Sequence, residues 1–277
     1  NMYKIFTLFC LNLKGATDNP LQLKSADFDI DEQIETMRGS GNLMDVFIML
    51  MSKERSSYLF GQYEEAYHVG NEMDTLLKVP MGAYHLPEHY FYRCMSLLAV
   101  YQDKPPAERR VILRIFKRHL KNMRRCAEIC PANYEPKYLL VRAEMMQATG
   151  DRMRTLKLYD QAVKSARQHA YTSIEALANE RAALCYLKEG IEESARGYMA
   201  AAIHAYRNWG ARAKIDQLTQ THPNLDPEDR TPPPYGGIHT LSSQTGAGMP
   251  LSILDVSTVM QASHAISSEI MLERLLQ

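Results

Sequence analysis

Apolar residues recur at three- and four-residue spacing through most of this 277-residue chain. The longest clear run places apolar side chains on one helical face: Leu156, Tyr159, Ala162, Val163 and Ala166. Such spacing is typical of amphipathic helices, whereas strict alternation would indicate strands and is scarce here. The pattern therefore predicts an all-α fold.

Residues that suit helix ends divide the middle of the chain at regular points. They stand at Gly61, at 102–106, at 130–133, at Gly150 and at Gly190. Glycine, proline and aspartate are favoured where a helix ends or begins. Short turns of this kind predict that neighbouring helices run antiparallel.

A small residue follows three of these glycines at the same distance: Ala66 after Gly61, Thr155 after Gly150 and Ala195 after Gly190. Small side chains let two helices pack closely, as they do in tetratricopeptide-like (TPR-like) repeats. We predict a TPR-like superhelix of about four antiparallel helix pairs. The predicted pairs span 34–78, 86–129, 133–169 and 171–209, and a short helix follows at 211–221.

The pattern of apolar and polar residues changes on both sides of the predicted repeat domain, which we place at 34–222. Residues 1–33 are interpreted as the end of a preceding helix and a linker, since the apolar run Met2 to Leu13 is too short to cross a membrane. Residues 223–250 are rich in proline, glycine and serine and predict a linker. Residues 251–277 predict an amphipathic connector helix.

The connector helix carries an apolar stripe that has no partner in the adjoining linker. Its members are Val256, Val259, Met260, Ile266 and Ile270. An exposed stripe of this kind favours pairing with a second chain. A homodimer through this helix is therefore predicted.

Composition narrows the classes of partner. The chain has 32 basic and 32 acidic residues, so no overall field favours nucleic acid or a membrane surface. The five cysteines are odd in number and indicate a reducing, cytoplasmic setting. Phosphate-binding glycine loops and nucleophile elbows are absent from the sequence, and no cofactor is predicted.

A run of basic residues recurs at helical spacing between Arg109 and Arg125. No aromatic residues interleave with it as nucleic-acid stacking would require, so a solvated face is favoured. An acidic partner segment remains an alternative for this face.

One sequence motif resembles a metal site. His85, Glu88 and His89 match the H-x-x-E-H spelling of a zinc peptidase, which would make the chain a metal-dependent hydrolase. Pro87 should begin a helix and leave His85 outside it, so that the two histidines could not share a face. We therefore predict no metal site and no enzymatic activity.

Several strings resemble one kind of large signalling protein. They are the segments 88–92, 130–134, 175–180, 205–214 and 254–276. Together they are similar to the helical-repeat region of proteins that join a serine/threonine-kinase-like domain, an AAA-type ATPase module, this region, a GAF domain and a sensor histidine kinase.

The resemblance implies a non-catalytic interaction and relay module in a two-component signalling kinase, with a protein, a peptide or a neighbouring domain as partner. The repeat phase predicts the residues facing a partner-binding groove: Lys137, Leu140, Glu144, Gln147, Leu177, Glu180 and Lys188. A small-molecule sensor with a pocket between helix pairs is the remaining alternative.

Overall fold

The computed structural model describes residues 2–79 and 85–225. The predicted linker and connector helix, with Val256, Val259, Met260, Ile266 and Ile270, lie outside the described residues. Within the described part the chain is helical except for one two-stranded hairpin. The all-α prediction is confirmed.

The helices follow one another with short connections. Their bounds are α1 (Met2–Lys14), α2 (Ile30–Gly39), α3 (Leu43–Leu59), α4 (Tyr63–Thr75), α5 (His85–Val100), α6 (Pro106–Ile129), α7 (Pro131–Thr149), α8 (Arg152–Gln168), α9 (Thr172–Lys188), α10 (Glu192–Trp209) and α11 (Arg212–Thr221). The hairpin pairs β1 (Lys24–Ser25) with β2 (Phe28–Asp29) in antiparallel register. It precedes α2 in a segment for which the sequence predicted only a linker.

The predicted helix pairs correspond to α3 with α4, α5 with α6, α7 with α8, and α9 with α10. The small residues predicted to lie between paired helices are buried: Ala66, Thr155 and Ala195 are at most 1% exposed. This burial explains the repeat, because a larger side chain there would hold the two helices of a pair apart.

Three of the four turns between paired helices share one structure, and the exception joins α5 to α6 through a 3-10 turn at Tyr101–Asp103. Gly150 adopts φ 85°, in the left-handed region, and the Asp151 N–H donates to the Met146 carbonyl. This is the bond of a Schellman motif, which ends a helix and favours glycine at the left-handed position. Gly190 has φ 72° and sits in the same arrangement, with the Ile191 N–H donating to the Tyr186 carbonyl.

The N-terminal segment differs from its predicted role. Helix α1 packs against α3 and α11, and its apolar residues Ile5, Leu8, Phe9 and Leu13 are buried in the core. The first predicted pair is also interrupted, because Gly41 (φ 76°) separates α2 from α3. Residues of the segment 2–33 thus supply part of the repeat domain's packing.

Helix α3 lies at the centre of the fold. Twelve of its seventeen residues are buried, and it contacts α1, α2, α4 and α5. A helix that is covered on nearly every side must be apolar on nearly every side, which is why α3 lacks a clear polar stripe. In residues 2–79 and 85–225, none of the helices has the length and apolar content needed to cross a bilayer.

Candidate functional site

The inner residues of the first helices, which the sequence assigned to a partner-binding groove, are mostly buried. Five of the predicted residues are at most 5% exposed: Lys137, Leu140, Glu144, Leu177 and Glu180. Gln147 is partly buried and Lys188 is exposed. The superhelix is closed tightly enough for its inner side chains to contact one another, so a partner cannot reach those five residues in this conformation.

Glu144 shows how the inner face is filled. Its carboxylate accepts two hydrogen bonds from Arg181, each 2.8 Å long, and one of 2.7 Å from the Tyr159 hydroxyl. Arg181 also donates to the hydroxyl oxygen of Tyr63, 3.1 Å away on α4. Side chains of α4, α7, α8 and α9 therefore meet in one buried polar network.

Two buried lysines are also paired with glutamate side chains of other helices. Lys214 Nζ lies 2.9 Å from the Glu180 carboxylate, which also accepts a hydrogen bond from the Tyr206 hydroxyl. Lys137 pairs with Glu88 and lies over the Tyr171 ring, 4.8 Å from its centre. Both lysines are almost fully buried, so each ion pair joins helices within the domain.

The zinc-peptidase interpretation of His85, Glu88 and His89 does not match the structure. Helix α5 begins at His85, so His85 and His89 lie one turn apart on the same face of a helix, contrary to the prediction, and only their partners argue against the motif. Glu88 pairs with Lys137 of α7, whereas the His89 ring Nδ1 lies 3.1 Å from Glu54 of α3. Glu88 and His89 thus belong to two different networks and cannot form one catalytic site.

His89 belongs instead to a buried cluster to which α3, α4, α5 and α6 each contribute. Asp74 Oδ1 lies 2.8 Å from His119 Nε2 and 3.6 Å from His89 Nε2. Its other oxygen, Oδ2, lies 3.0 Å from the Arg93 guanidinium. Glu54, His89, Arg93 and His119 are buried and Asp74 is 12% exposed in its side chain.

The charges in this cluster shift its titrating groups. Burial alone would raise the pKa of Asp74, but its interactions with His119, His89 and Arg93 hold it well below its usual range. Burial would lower the pKa of His89, but the Glu54 and Asp74 carboxylates outweigh burial and raise it. Burial lowers the pKa of His119 despite its hydrogen bond to Asp74.

The outer face of α6 carries the predicted basic run. Its exposed members are Arg110, Arg114, Lys117, Arg118, Lys121, Arg124 and Arg125. Arg118 pairs with Asp74 and Arg124 with Glu128. In the described part of the chain, no acidic side chain pairs with Arg110, Arg114, Lys117 or Lys121. The exposed apolar residues Val111 and Ile129 are on the same helix.

The predicted alternative of a small-molecule sensor needs a pocket between helix pairs. An open groove of about 530 Å³ runs between α8 and α10, with Lys164, Arg167 and Tyr198 among its lining residues. Lys157 and Lys164 are exposed on α8 at the same seven-residue separation as Arg114 and Lys121 on α6.

Comparison with known proteins assigns the middle of the chain. Residues 31–179, more than half of its 277 positions, match the family described as "CHK1-like, TPR repeats". No curated protein and no solved structure gives a significant match. The matched range includes α3 to α8 and therefore both the buried cluster and the basic face of α6. TPR repeats are generally non-catalytic and mediate protein–protein interactions.

Proposed function

Because the chain belongs to the CHK1-like family of TPR repeats, we propose that it is a non-catalytic interaction and signal-relay module of a multidomain signalling kinase. The proposed setting is cytoplasmic. The neighbouring domains are those implied by the sequence resemblance: an AAA-type ATPase module before the repeats, a GAF domain after them, and kinase domains beyond. The module would receive a protein partner or a domain of its own chain and pass that contact to the kinase output.

The observation that carries this proposal is the basic stripe on α6, for which residues 2–79 and 85–225 provide no acidic partner. Arg110, Arg114, Lys117 and Lys121 recur at three- and four-residue spacing, so their side chains lie along one side of the helix. From Arg110 to Lys121 the stripe extends for roughly 16 Å at the usual helical rise. A stripe of exposed positive charge steers and positions an acidic segment. We place the partner there because the inner face is closed.

One feature distinguishes this surface from an ordinary solvated face. The same helix exposes the apolar side chains of Val111 and Ile129, which are 46% and 81% exposed. Charge with adjacent apolar area suits a protein partner better than a purely ionic one.

Photo-crosslinking in the full-length parent protein tests the proposal. A photoreactive residue at position 117 should crosslink to an acidic protein segment, identified by mass spectrometry. The double charge reversal Arg114→Glu with Lys121→Glu should abolish that crosslink and change the autophosphorylation of the parent kinase. Like charges facing an acidic partner repel it.

The matched control is Lys157→Glu with Lys164→Glu on α8, which has the same change of charge and the same spacing. It should leave both the crosslink and the kinase output unchanged. Equal effects of the two double variants would show that net charge matters and that the α6 face does not. A crosslink to a neutral or basic segment would also contradict the proposal.

A further inference from the structure

Three of the buried residues are arranged as metal ligands. One ligand atom from each of Asp74, His89 and His119 lies within 4.8 Å of the other two. Zinc ligands at about 2.0–2.1 Å from the ion stand roughly 3.3 Å apart in a tetrahedral site. The separations of 2.8 and 3.6 Å between Asp74 Oδ1 and the two Nε2 atoms bracket that spacing. Small side-chain movements would therefore bring the three atoms around one ion.

The hydrogen bonding of His89 provides an independent sign of a missing cation. Its Nδ1 donates to the Glu54 carboxylate at 3.1 Å, which leaves the Nε2 lone pair directed toward the cluster. His89 is fully buried, and its Nε2 has no hydrogen-bond partner among the described residues. A neutral imidazole would place this lone pair 3.6 Å from an ionised Asp74 oxygen. Two buried acceptors at that distance are unfavourable unless a proton or a metal cation lies between them.

We propose that Asp74, His89 and His119 bind one zinc-class divalent cation, with water in the fourth position. A histidine that ligates through one ring nitrogen commonly donates from the other to a carboxylate, and Glu54 fills that role. Asp74 would ligate through Oδ1, because Oδ2 is held by Arg93. The ion would join α4 of one helix pair to α5 and α6 of the next, and so fix the junction between the two pairs.

The neighbouring arginine side chains affect how tightly this site would bind a divalent ion. Arg93 is buried beside Asp74, and Arg118 Nη2 lies 3.4 Å from Asp74 Oδ1 and 3.5 Å from His119 Nε2. Arg118 opposes a second cation at the same oxygen, but its side chain is 56% exposed and can move toward solvent. Glu54 and Asp74 contribute two negative charges and Arg93 one positive charge, so with neutral histidines and Arg118 turned to solvent, one divalent ion leaves one net positive charge.

Metal titration of the purified chain tests the proposal. After removal of metals with a chelator, Co²⁺ at about pH 7.5 should bind with one equivalent and give the visible bands of a low-coordinate nitrogen and oxygen site. Zn²⁺ should displace it. The five cysteines make a thiolate site the main competing explanation, and a thiolate charge-transfer band in the near ultraviolet would overturn the assignment.

Variants distinguish this site from others. Asp74→Asn and His119→Gln should weaken Zn²⁺ binding by at least about 100-fold. The exposed histidines His68 and His204 serve as controls, and their change to Gln should have no effect. Circular dichroism checks that each variant is folded. Arg118→Gln, a surface change that leaves the ligands intact, should tighten binding by roughly 2- to 10-fold.

Acidification gives one more readout. Because histidine ligates a metal only when its ligating nitrogen is deprotonated, metal binding at this site should release protons. Zinc affinity should therefore fall as the pH is lowered. Absence of saturable binding would show that a proton alone occupies the gap, and unchanged binding in Asp74→Asn and Arg118→Gln would place the ion elsewhere. Either result overturns the proposal.

Discussion

Each buried charge of this domain contacts several partners. Removing one partner leaves the remaining charge buried without compensation, which costs free energy of folding. The Arg181 guanidinium contacts Glu144 through two nitrogens and Tyr63 through a third. Desolvation of a buried charge is costly, and the ion pair compensates for it only while both members are present. The inner face is therefore a place where single substitutions should act strongly.

Glu144→Ala tests this at one residue. It leaves Arg181 buried without its carboxylate and should lower the free energy of unfolding by about 3–5 kcal/mol. Urea denaturation followed by circular dichroism measures the change. The control is Glu128→Ala, which breaks the exposed pair with Arg124 and should cost less than about 0.5 kcal/mol. A small effect of Glu144→Ala would mean that water reaches Arg181.

Gly70 lies on α4 against the histidine cluster, and its missing side chain makes room for buried charges. A Cβ atom there would stand 2.7 Å from Glu54 Oε1 and 2.8 Å from Arg93 Cδ. Both side chains are fully buried and held by ion pairs, so neither can move away at low cost. Gly70→Ala should therefore destabilise the domain by about 1–3 kcal/mol, although alanine is the better helix former.

Gly197→Ala is the matched control for that variant. Gly197 lies inside α10, and a Cβ atom there meets nothing within 4 Å. The same substitution should stabilise the domain by about 0.5–1 kcal/mol through helix propensity alone. Thermal denaturation of the two variants side by side gives opposite shifts if the packing at Gly70 is as tight as it is in the structure.

At the scale of helices, the features predicted correctly from the sequence are those that depend on residues close together in the chain. The turn glycines Gly61, Gly150 and Gly190 and the small residues that follow them placed the repeat pairs correctly, because both signals act within a few residues. The break at Gly41 was missed, since a short polar interruption within 34–78 was not distinguished from helix.

The candidate site could not be predicted in the same way. Glu54, Asp74, His89 and His119 come from four helices, and no local spacing connects them. His119 is hidden inside the basic run of α6, and His89 drew attention through the wrong neighbours, His85 and Glu88. The burial of the inner face was also not predicted, because it depends on how every helix pair packs against the next.

Helix α1 is the element whose contribution departs most from the prediction, and its removal is a direct test. Its Phe9 ring lies 4.6 Å from the Arg55 guanidinium, which also lies over Trp209 at 5.7 Å. Deletion of residues 1–15 exposes α3 and this arginine, and should lower the thermal midpoint and speed proteolysis of the remaining domain.

The control for that deletion is Tyr3→Ser, which changes the exposed side of α1. Tyr3 is 83% exposed, so its loss should change the free energy of unfolding by less than about 0.5 kcal/mol. Differential scanning calorimetry compares both proteins with the parent chain. An unchanged midpoint after the deletion would mean that α1 contributes nothing to the stability of the repeat domain.

At the scale of the whole molecule, a closed inner face changes how a relay can operate. A partner that filled an open groove would bend the superhelix directly. The proposed partner on α6 would act from outside, and the α6 face is connected to α3, α4 and α5 through the cluster around Asp74. Protonation of that cluster, or a metal ion bound to it, would then influence how strongly the α3–α4 pair and the α5–α6 pair move together.

The relay also needs a route from the repeats to the kinase, and we predict that the connector helix provides it by pairing with a second chain. Light-scattering mass during size-exclusion chromatography should show a dimer for residues 1–277 and a monomer for residues 1–231. The second boundary keeps Leu225, which is buried in the repeat domain. The stripe of Val256, Val259, Met260, Ile266 and Ile270 would be the paired surface.

Val259→Asp with Ile266→Asp in the full chain separates the stripe from the rest of the C-terminal segment. Two carboxylates per helix in an apolar seam should return the chain to a monomer, whereas Ser257→Asp with Ser268→Asp, the same charge off the stripe, should not. A dimer of residues 1–231 would instead place the contact on the repeats. Monomers throughout would remove the dimeric relay and leave the repeats as a docking module, because a partner bound to one chain could not then act on its neighbour.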